Sequence, residues 1–280
     1  MLIVDSQIHL WQNGKMSAHH RQIPTYSVDD ALAEMASAGV DCAVIHPPSS
    51  LGEAVNALAV EAVRAASRQV LHPRALRSPE PGSRADRRAL ARAAGHARVP
   101  VHLQPAAAEG VVDRRLARLV LGGLRDEQAC PSGCWPAGSM AALAKIAERH
   151  PRLKLHIDHL GRGGGGSGIT DDAAFADLAD TLALARVSQR RDQDVRRAEL
   201  LEPALSVQEH PRLPAADLRG VRARTAAFWG TDITRMPCSY RQCVTMFTEE
   251  LPWLKGRDLE RVMGGAVVDW LGWKRPGGQA

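Results

Sequence analysis

A chain of 280 residues, 45% hydrophobic and 24% charged with a formal net charge of +5, suits one large α/β domain better than two small ones. Nowhere do about 18 uncharged apolar residues stand together, and MLIVDSQIHLW at the N-terminus has neither a basic n-region nor a long apolar run, so neither a membrane span nor a signal peptide is predicted and a cytoplasmic location is expected. The five cysteines are an odd count. Cys130 and Cys134 lie near each other, but no second pair completes a zinc-type spacing.

In chain order, LIVDSQIHLW reads as a strand and SVDDALAEMASAGV as a helix, with Ser27 as N-cap, Asp30 in the first turn and Gly39 as the stop. Between them, His19-His20-Arg21 reads as a solvated loop. DCAVIHPP is a second strand and GEAVNALAVEAVRAAS a second helix. This alternation predicts consecutive βα units, and a (β/α)8 TIM barrel of roughly 250 residues fits the length as a single domain over 1–280.

From about Pro73 to Cys134 the text changes. Arg, Ala, Pro and Gly dominate, and no aromatic residue appears before Trp135. GSMAALAKIAERHPRLKLHIDHLG then reads as a helix, a turn at His150-Pro151 and a strand ending in His159. GRGGGGSG at 161–168 lacks the Lys-Ser/Thr ending of a phosphate loop and reads as a flexible loop over the barrel mouth. A second arginine-rich stretch fills 187–227.

FWGTDITRMPCSY restores order. Phe228 and Trp229 end a buried strand, Gly230 lets the backbone turn, and Asp232, Thr234, Arg235 and Tyr240 follow at once. SYRQCVTMFTEELPWL reads as a helix packed around the barrel.

IVDSQIHLW, HPRLKLHIDHLG and FWGTDITRMPCSYRQCVTMFTEELPWL with RDLERVMGGAVVDWLGW resemble the amidohydrolase-related family of TIM-barrel hydrolases, which includes pyrone-dicarboxylate lactonases. Both arginine-rich stretches fall outside the resemblance. The family's first strand usually ends in His-x-His. Here Gln7-Ile8-His9 keeps the second histidine and replaces the first with a neutral amide, a poor transition-metal ligand, which puts metal dependence in question. His159 matches the histidine of the family's Asp-His-Leu-Gly strand end. Asp232 matches the last-strand aspartate, which the resemblance implies takes a proton from the attacking water.

The chemistry is coherent without the family. Strand-end residues converge at the C-terminal mouth of a parallel barrel, so His9, His159 and Asp232 can meet. Hydrolysis of a small carboxylate-bearing lactone or amide needs a base, Asp232, and groups that stabilise the developing oxyanion. His9 and His159 would polarise the carbonyl, directly or by holding with Asp232 a divalent metal such as zinc. Arg235 could clamp a substrate carboxylate through its planar fork, with Gln7, Trp11 and Tyr240 lining the pocket. A metal-dependent decarboxylase on the same scaffold is the alternative enzyme.

Each assignment has a plainer counterpart. Asp232 could cap the following helix. His9 could be a satisfied core histidine. Arg235 could form a surface ion pair, and Trp11 and Tyr240 could simply pack.

The arginine-rich stretches lack the aromatic interleaving of nucleic-acid binders and mix arginine with Asp, Glu and Pro, so no nucleic-acid partner is expected. A small-molecule substrate is the expected partner, with room for a homo-oligomer and none for a membrane. The stretches also read as shifted reading frame. With permissible codons, 189–197 displaced by one nucleotide becomes N-V-A-I-K-M-S-G, and 96–104 becomes M-L-G-F-R-F-T-F. Displaced by two, 128–136 becomes S-L-P-V-G-L-L-A. All three are apolar strands where a barrel needs them. The expected barrel is therefore distorted or incomplete around 73–135 and 187–227, and an inactive product of a frameshifted gene is the alternative outside enzymes.

Overall fold

The computed structural model describes residues 1–46 apart from 17 and 19, short helical pieces within 58–62, 140–145 and 179–181, strand segments at 70–71, 99–102, 129–133, 156–157 and 199–200, and residues 228–271. His159 and the glycine-rich run at 161–168 lie outside the described residues.

Among the described residues seven strands pair in parallel with sequence neighbours. β1 (Val4–Ile8), β2 (Cys42–Ile45) and β3 (Val70–Leu71) form one sheet in the order β1-β2-β3. β4 (Val99–His102), β5 (Ala129–Gly133), β6 (His156–Ile157) and β7 (Glu199–Leu200) form a second in the order β4-β5-β6-β7. An eighth segment, 228–232, runs along the free edge of β1. Ser6 N–H donates to Trp229 O at 3.0 Å, and Asp232 N–H donates to Gln7 O at 2.9 Å.

Parallel strands joined to their sequence neighbours are the βαβ arrangement expected from the alternating text. Among the described residues no ladder joins β3 to β4, so a closed barrel is not seen. Strands nevertheless occur inside both arginine-rich stretches: β4 and β5 lie within 73–135 and β7 within 187–227. Strand pairing draws on backbone groups that every residue but proline carries in full, so unpromising side chains do not abolish it. Pro100 and Pro131 sit in the facing β4 and β5, and each removes a ladder donor, which is ordinarily confined to edge strands or bulges.

The first helix, α1 (Val28–Ala38), begins and ends where the sequence predicts. Ser27 accepts from Asp30 N–H while the Asp30 carboxylate accepts from Ser27 N–H, and Gly39 closes the helix at φ 76°, a left-handed conformation that costs glycine little. Its buried residues Ala31, Met35 and Ala38 recur at helical spacing on one face. α2 (Tyr240–Thr248) has the same device, a capping box of Ser239 and Gln242, and buries Tyr240, Cys243, Val244, Met246 and Phe247. Replacing Ser239 with alanine removes the Gln242 N–H acceptor and is expected to cost about 1 kcal/mol, read as a lower denaturation midpoint at an unchanged denaturant slope.

α3 (Gly256–Glu260) leads through a wide turn, Arg261–Gly265, into α4 (Ala266–Leu271). Trp229 N–H bonds to Val262 O at 2.8 Å, fastening this turn to the last barrel-like segment. α4 lays Ala266, Val267 and Trp270 against Val4, Cys42, Val44 and Phe228. A larger core gathers Ile8, Trp11, Tyr26, Met35, Ile45, Trp229, Ile233 and Phe247. Both cores thus clamp β1 to 228–232. Among the described residues no helix is long and apolar enough to cross a membrane.

Candidate active site

Between Asp5 and Ile8, β1 carries one more residue than β2 opposite it, since Asp5 pairs with Ala43 and Ile8 with Ile45. Such a bulge re-aims the side chains that follow. His9 stands just beyond it. His9 Nδ1 lies 2.6 Å from the carbonyl oxygen of His46. A carbonyl only accepts, so Nδ1 carries the proton and Nε2 is the atom His9 turns elsewhere. That atom is 3.6 Å from Asp232 Oδ1. His46 is itself fixed at the end of β2, donating Nε2–H to Ser6 O at 3.1 Å.

Asp232 is fully buried and takes φ 45°, ψ 49°, a left-handed conformation uncommon for a residue with a Cβ and frequent at functional sites. It precedes a 3₁₀ turn, Ile233–Arg235, but its side chain makes no capping hydrogen bond, which removes the helix-cap reading. Both carboxylate oxygens are buried without a hydrogen-bond partner, as is Gln7 Oε1. Buried oxygens of this kind are costly unless a charge or ligand meets them. Arg235 Nη1 stands 3.6 Å from Asp232 Oδ2 with its side chain 19% exposed, so it pairs with the buried carboxylate and not at the surface.

The solvated-loop reading of His20 needs correction. Its side chain is 8% exposed and its Nδ1 is 4.0 Å from Asp232 Oδ1. The same nitrogen lies 2.8 Å from Thr234 Oγ1, and the ring meets His9 edge-on at 5.4 Å. Arg21 N–H donates to Thr234 O at 2.7 Å, so the loop is folded down onto the 3₁₀ turn. One ligand atom each from His9, His20 and Asp232 lie within 4.8 Å of one another. The sequence signal was present in His20 itself, two histidines in a polar run just after the strand that bears His9, but its partner is distant in the chain.

Trp11 and Tyr240 support the site through their polar atoms rather than offering those atoms to a pocket. Trp11 Nε1–H donates to Ile23 O at 3.0 Å, and its indole packs on Tyr26 and edge-on against His20. The Tyr240 hydroxyl, read from the sequence as a pocket group, donates to Asp5 Oδ2 at 2.6 Å.

Asp5 was not singled out from the sequence. It is fully buried and ties β1 to the segment carrying Asp232: Thr231 N–H and Gln7 N–H donate to Oδ1 at 3.0 and 2.9 Å, and the Thr231 hydroxyl donates to Oδ2 at 2.5 Å. Burial pushes its carboxyl up from 3.8 to about 6, against the opposing pull of the hydrogen bonds from Thr231, Tyr240 and Gln7. Burial, with the Asp5 charge beside it, also holds the Tyr240 hydroxyl well above the ordinary tyrosine range.

A raised folded-state value means the folded protein holds the proton more tightly than the unfolded chain between pH 4 and 6. Asp5 therefore favours folding at the acid end, and that contribution is lost as pH rises to about 6. Asparagine keeps an oxygen for the two N–H donors and offers its amide to hydroxyls that can rotate to accept. Asp5→Asn is expected to remain folded and to lack this fall of stability between pH 4 and 6, seen by comparing denaturation midpoints of the two proteins across that range.

The sequence matches no protein-family model and no curated protein. Solved structures do match over nearly the whole length. An amidohydrolase from Burkholderia multivorans with bound HEPES is 18% identical at a TM-score of 0.68, covering 97% of this chain and 99% of its own. Its zinc-bound form gives 16% and 0.65 over the same shares. A probable 2-pyrone-4,6-dicarboxylic acid hydrolase from Acinetobacter baumannii with citric acid bound gives 14% and 0.63, covering 98% and 100%. The fold is that of these amidohydrolases. A further solved structure of similar fold, from Bordetella bronchiseptica, is described as an uncharacterized TIM-barrel protein and matches at 14% identity and a TM-score of 0.62.

Proposed function

We propose that this chain is a hydrolase of the amidohydrolase type, acting on a small carboxylate-bearing lactone or amide through water activated by Asp232. The observation that carries the reading is the buried Asp232 carboxylate, with no hydrogen-bond partner on either oxygen, beside His9, His20 and Arg235. The likeness to hydrolases of the same fold supports it. In the complete architecture β1–β7 and 228–232 are the eight staves of a TIM barrel, with the site at the ends of the first and last.

Asp232 takes a proton from water as the oxygen attacks the substrate carbonyl. It has no competing hydrogen bond to give up, so its basicity is available at the moment of reaction. Arg235 presents a two-pronged donor face to a substrate carboxylate, and His9, oriented by the His46 carbonyl, turns its Nε2 into the site as an acceptor. The donor set also fits a divalent metal: His9, with Nδ1–H tied to a carbonyl, and Asp232, with its orphaned oxygens, would hold it. Such a metal supplies a lowered water pKa and polarisation of the carbonyl.

The test is turnover by the purified chain of a panel of carboxylate-bearing lactones and the matching amides, with and without added zinc, followed by product-acid release. One labelled oxygen from isotopic water should enter the new carboxylate. Absence of turnover across both classes under both conditions would overturn the proposal.

A further inference from the structure

We propose that His20 is a protein ligand of a divalent-cation centre, completing with His9 and Asp232 a three-residue site. Three features carry this. First, His9 Nε2 and Asp232 Oδ1 are 3.6 Å apart, too far for a hydrogen bond. Two donors on one tetrahedral ion with bonds near 2.1 Å stand about 3.4 Å apart. The His20 ring nitrogen at 4.0 Å from the same oxygen falls in the same range after a small adjustment.

Second, the Asp232 carboxylate is completely buried and neither oxygen has a hydrogen-bond partner, although the Arg235 guanidinium stands 3.6 Å from Oδ2. Three atoms that are all electron-rich when the imidazoles are neutral converge within 4.8 Å, and a cation among them relieves their mutual repulsion.

Third, the rings are held in place. His9 Nδ1–H is bound to His46 O, an outer hydrogen bond of the kind that fixes the ring orientation of metal-ligating histidines. The His20 ring is held by Trp11 against its edge, and its Nδ1, the atom nearest Asp232, is met by the Thr234 hydroxyl, which an ion would displace. Gln7, the first residue of the Gln7-Ile8-His9 triplet, has no nitrogen lone pair to offer. The loop after β1 supplies the second imidazole.

Two neutral imidazoles and one carboxylate leave a dication with a net charge of +1 and an open position for water, the donor pattern of catalytic zinc sites. The inference deepens the hydrolase reading and rests on it for the centre's purpose, whereas the cation site can be tested without any substrate.

The probes are zinc and cobalt(II) alone, added to the full chain. The unsubstituted protein is expected to retain one equivalent of zinc through gel filtration, and its cobalt form to show the intense visible bands of a four-coordinate site. His20→Ala should bind more than about 100-fold more weakly and lose those bands, whereas Thr234→Val, which removes the hydroxyl that competes for the same ring nitrogen, should bind no more weakly than the unsubstituted protein. Far-ultraviolet dichroism checks that both variants keep the fold. Should His20→Ala fail to fold, X-ray absorption on the zinc forms of the unsubstituted protein and of His159→Ala decides, with at least two imidazoles expected in each and fewer than two in either overturning the proposal. Zinc affinity unchanged in His20→Ala overturns it, as does an unsubstituted protein that binds no zinc. In that last case, lactone turnover by the metal-free chain would leave the hydrolase reading standing.

Discussion

Asp232→Asn should lower kcat/KM by about a thousandfold while leaving the protein at least as stable as before. The two halves of this expectation come from the same geometry. Asparagine has the shape of aspartate and tolerates the left-handed conformation at φ 45°, so the backbone bonds to Gln7 and Arg235 survive the exchange. What disappears is the charge. A neutral amide cannot take the proton from water, and loss of a positioned general base costs about two to four orders of magnitude.

In stability the terms oppose each other. Arg235 and His9 each lose a carboxylate neighbour 3.6 Å away, but a buried carboxylate with two unpartnered oxygens is itself a cost that the exchange lessens. Thermal melting of the two proteins beside their kinetics separates a chemical role from a structural one. A variant that melts several degrees lower and keeps a tenth or more of the activity would mean Asp232 is a structural residue and the base lies elsewhere.

The largest loss of stability from a single added methyl group is expected at Gly264. A Cβ built there meets Leu2 O at 2.8 Å and Val4 N and Val4 Cγ2 at 3.0 Å. Two of those three atoms are backbone, so no rotamer change relieves the clash. Its φ of 176° is extended and open to any residue, so the cost of Gly264→Ala is purely steric, about 3 kcal/mol. Gly256 is the natural comparison. It has φ +55° with nothing within 4 Å of an added Cβ, and Gly256→Ala should cost only the conformational term, about 1 kcal/mol. Denaturant midpoints of the two variants test the contrast. Equal losses would show that the turn at 261–265 does not press on β1 as described.

The legible parts of the sequence were those whose meaning is local. Ser27 with Asp30 and Gly39 marked the ends of α1 because capping is decided within a few residues. Asp232 and Arg235 stand out because a carboxylate and an arginine follow directly after the buried Phe228-Trp229 run. His20 was lost because its neighbours in space are Thr234 and Asp232, while its neighbours in sequence are polar. Asp5 was lost for the same reason: a carboxylate inside a strand reads as an irregularity until Thr231 and Tyr240 are seen donating to it. Tyr240 was noticed but given to a pocket, since sequence does not tell which way a hydroxyl is spent. His159, the other histidine read as catalytic, lies outside the described residues. Where the text turns to arginine and proline, β4 and β5 pair through their backbones with Pro100 opposite Cys130 and Val101 opposite Pro131. Sequencing the coding DNA across 73–135 and 187–227 tests the shifted-frame reading of those stretches.

The bonds that seat Asp232 join parts of the chain that are far apart in synthesis. Thr231 reaches Asp5 across 226 residues, and Thr234 reaches His20 across 214. While β1 and its loop leave the ribosome, the other half of the site has not yet been made. Contacts of such sequence separation form late because closing so long a loop is entropically slow. The nascent chain must therefore carry the Asp5 carboxylate without the donors from Thr231 and Tyr240 until that segment has been made, and the site comes into being only with the synthesis of that segment.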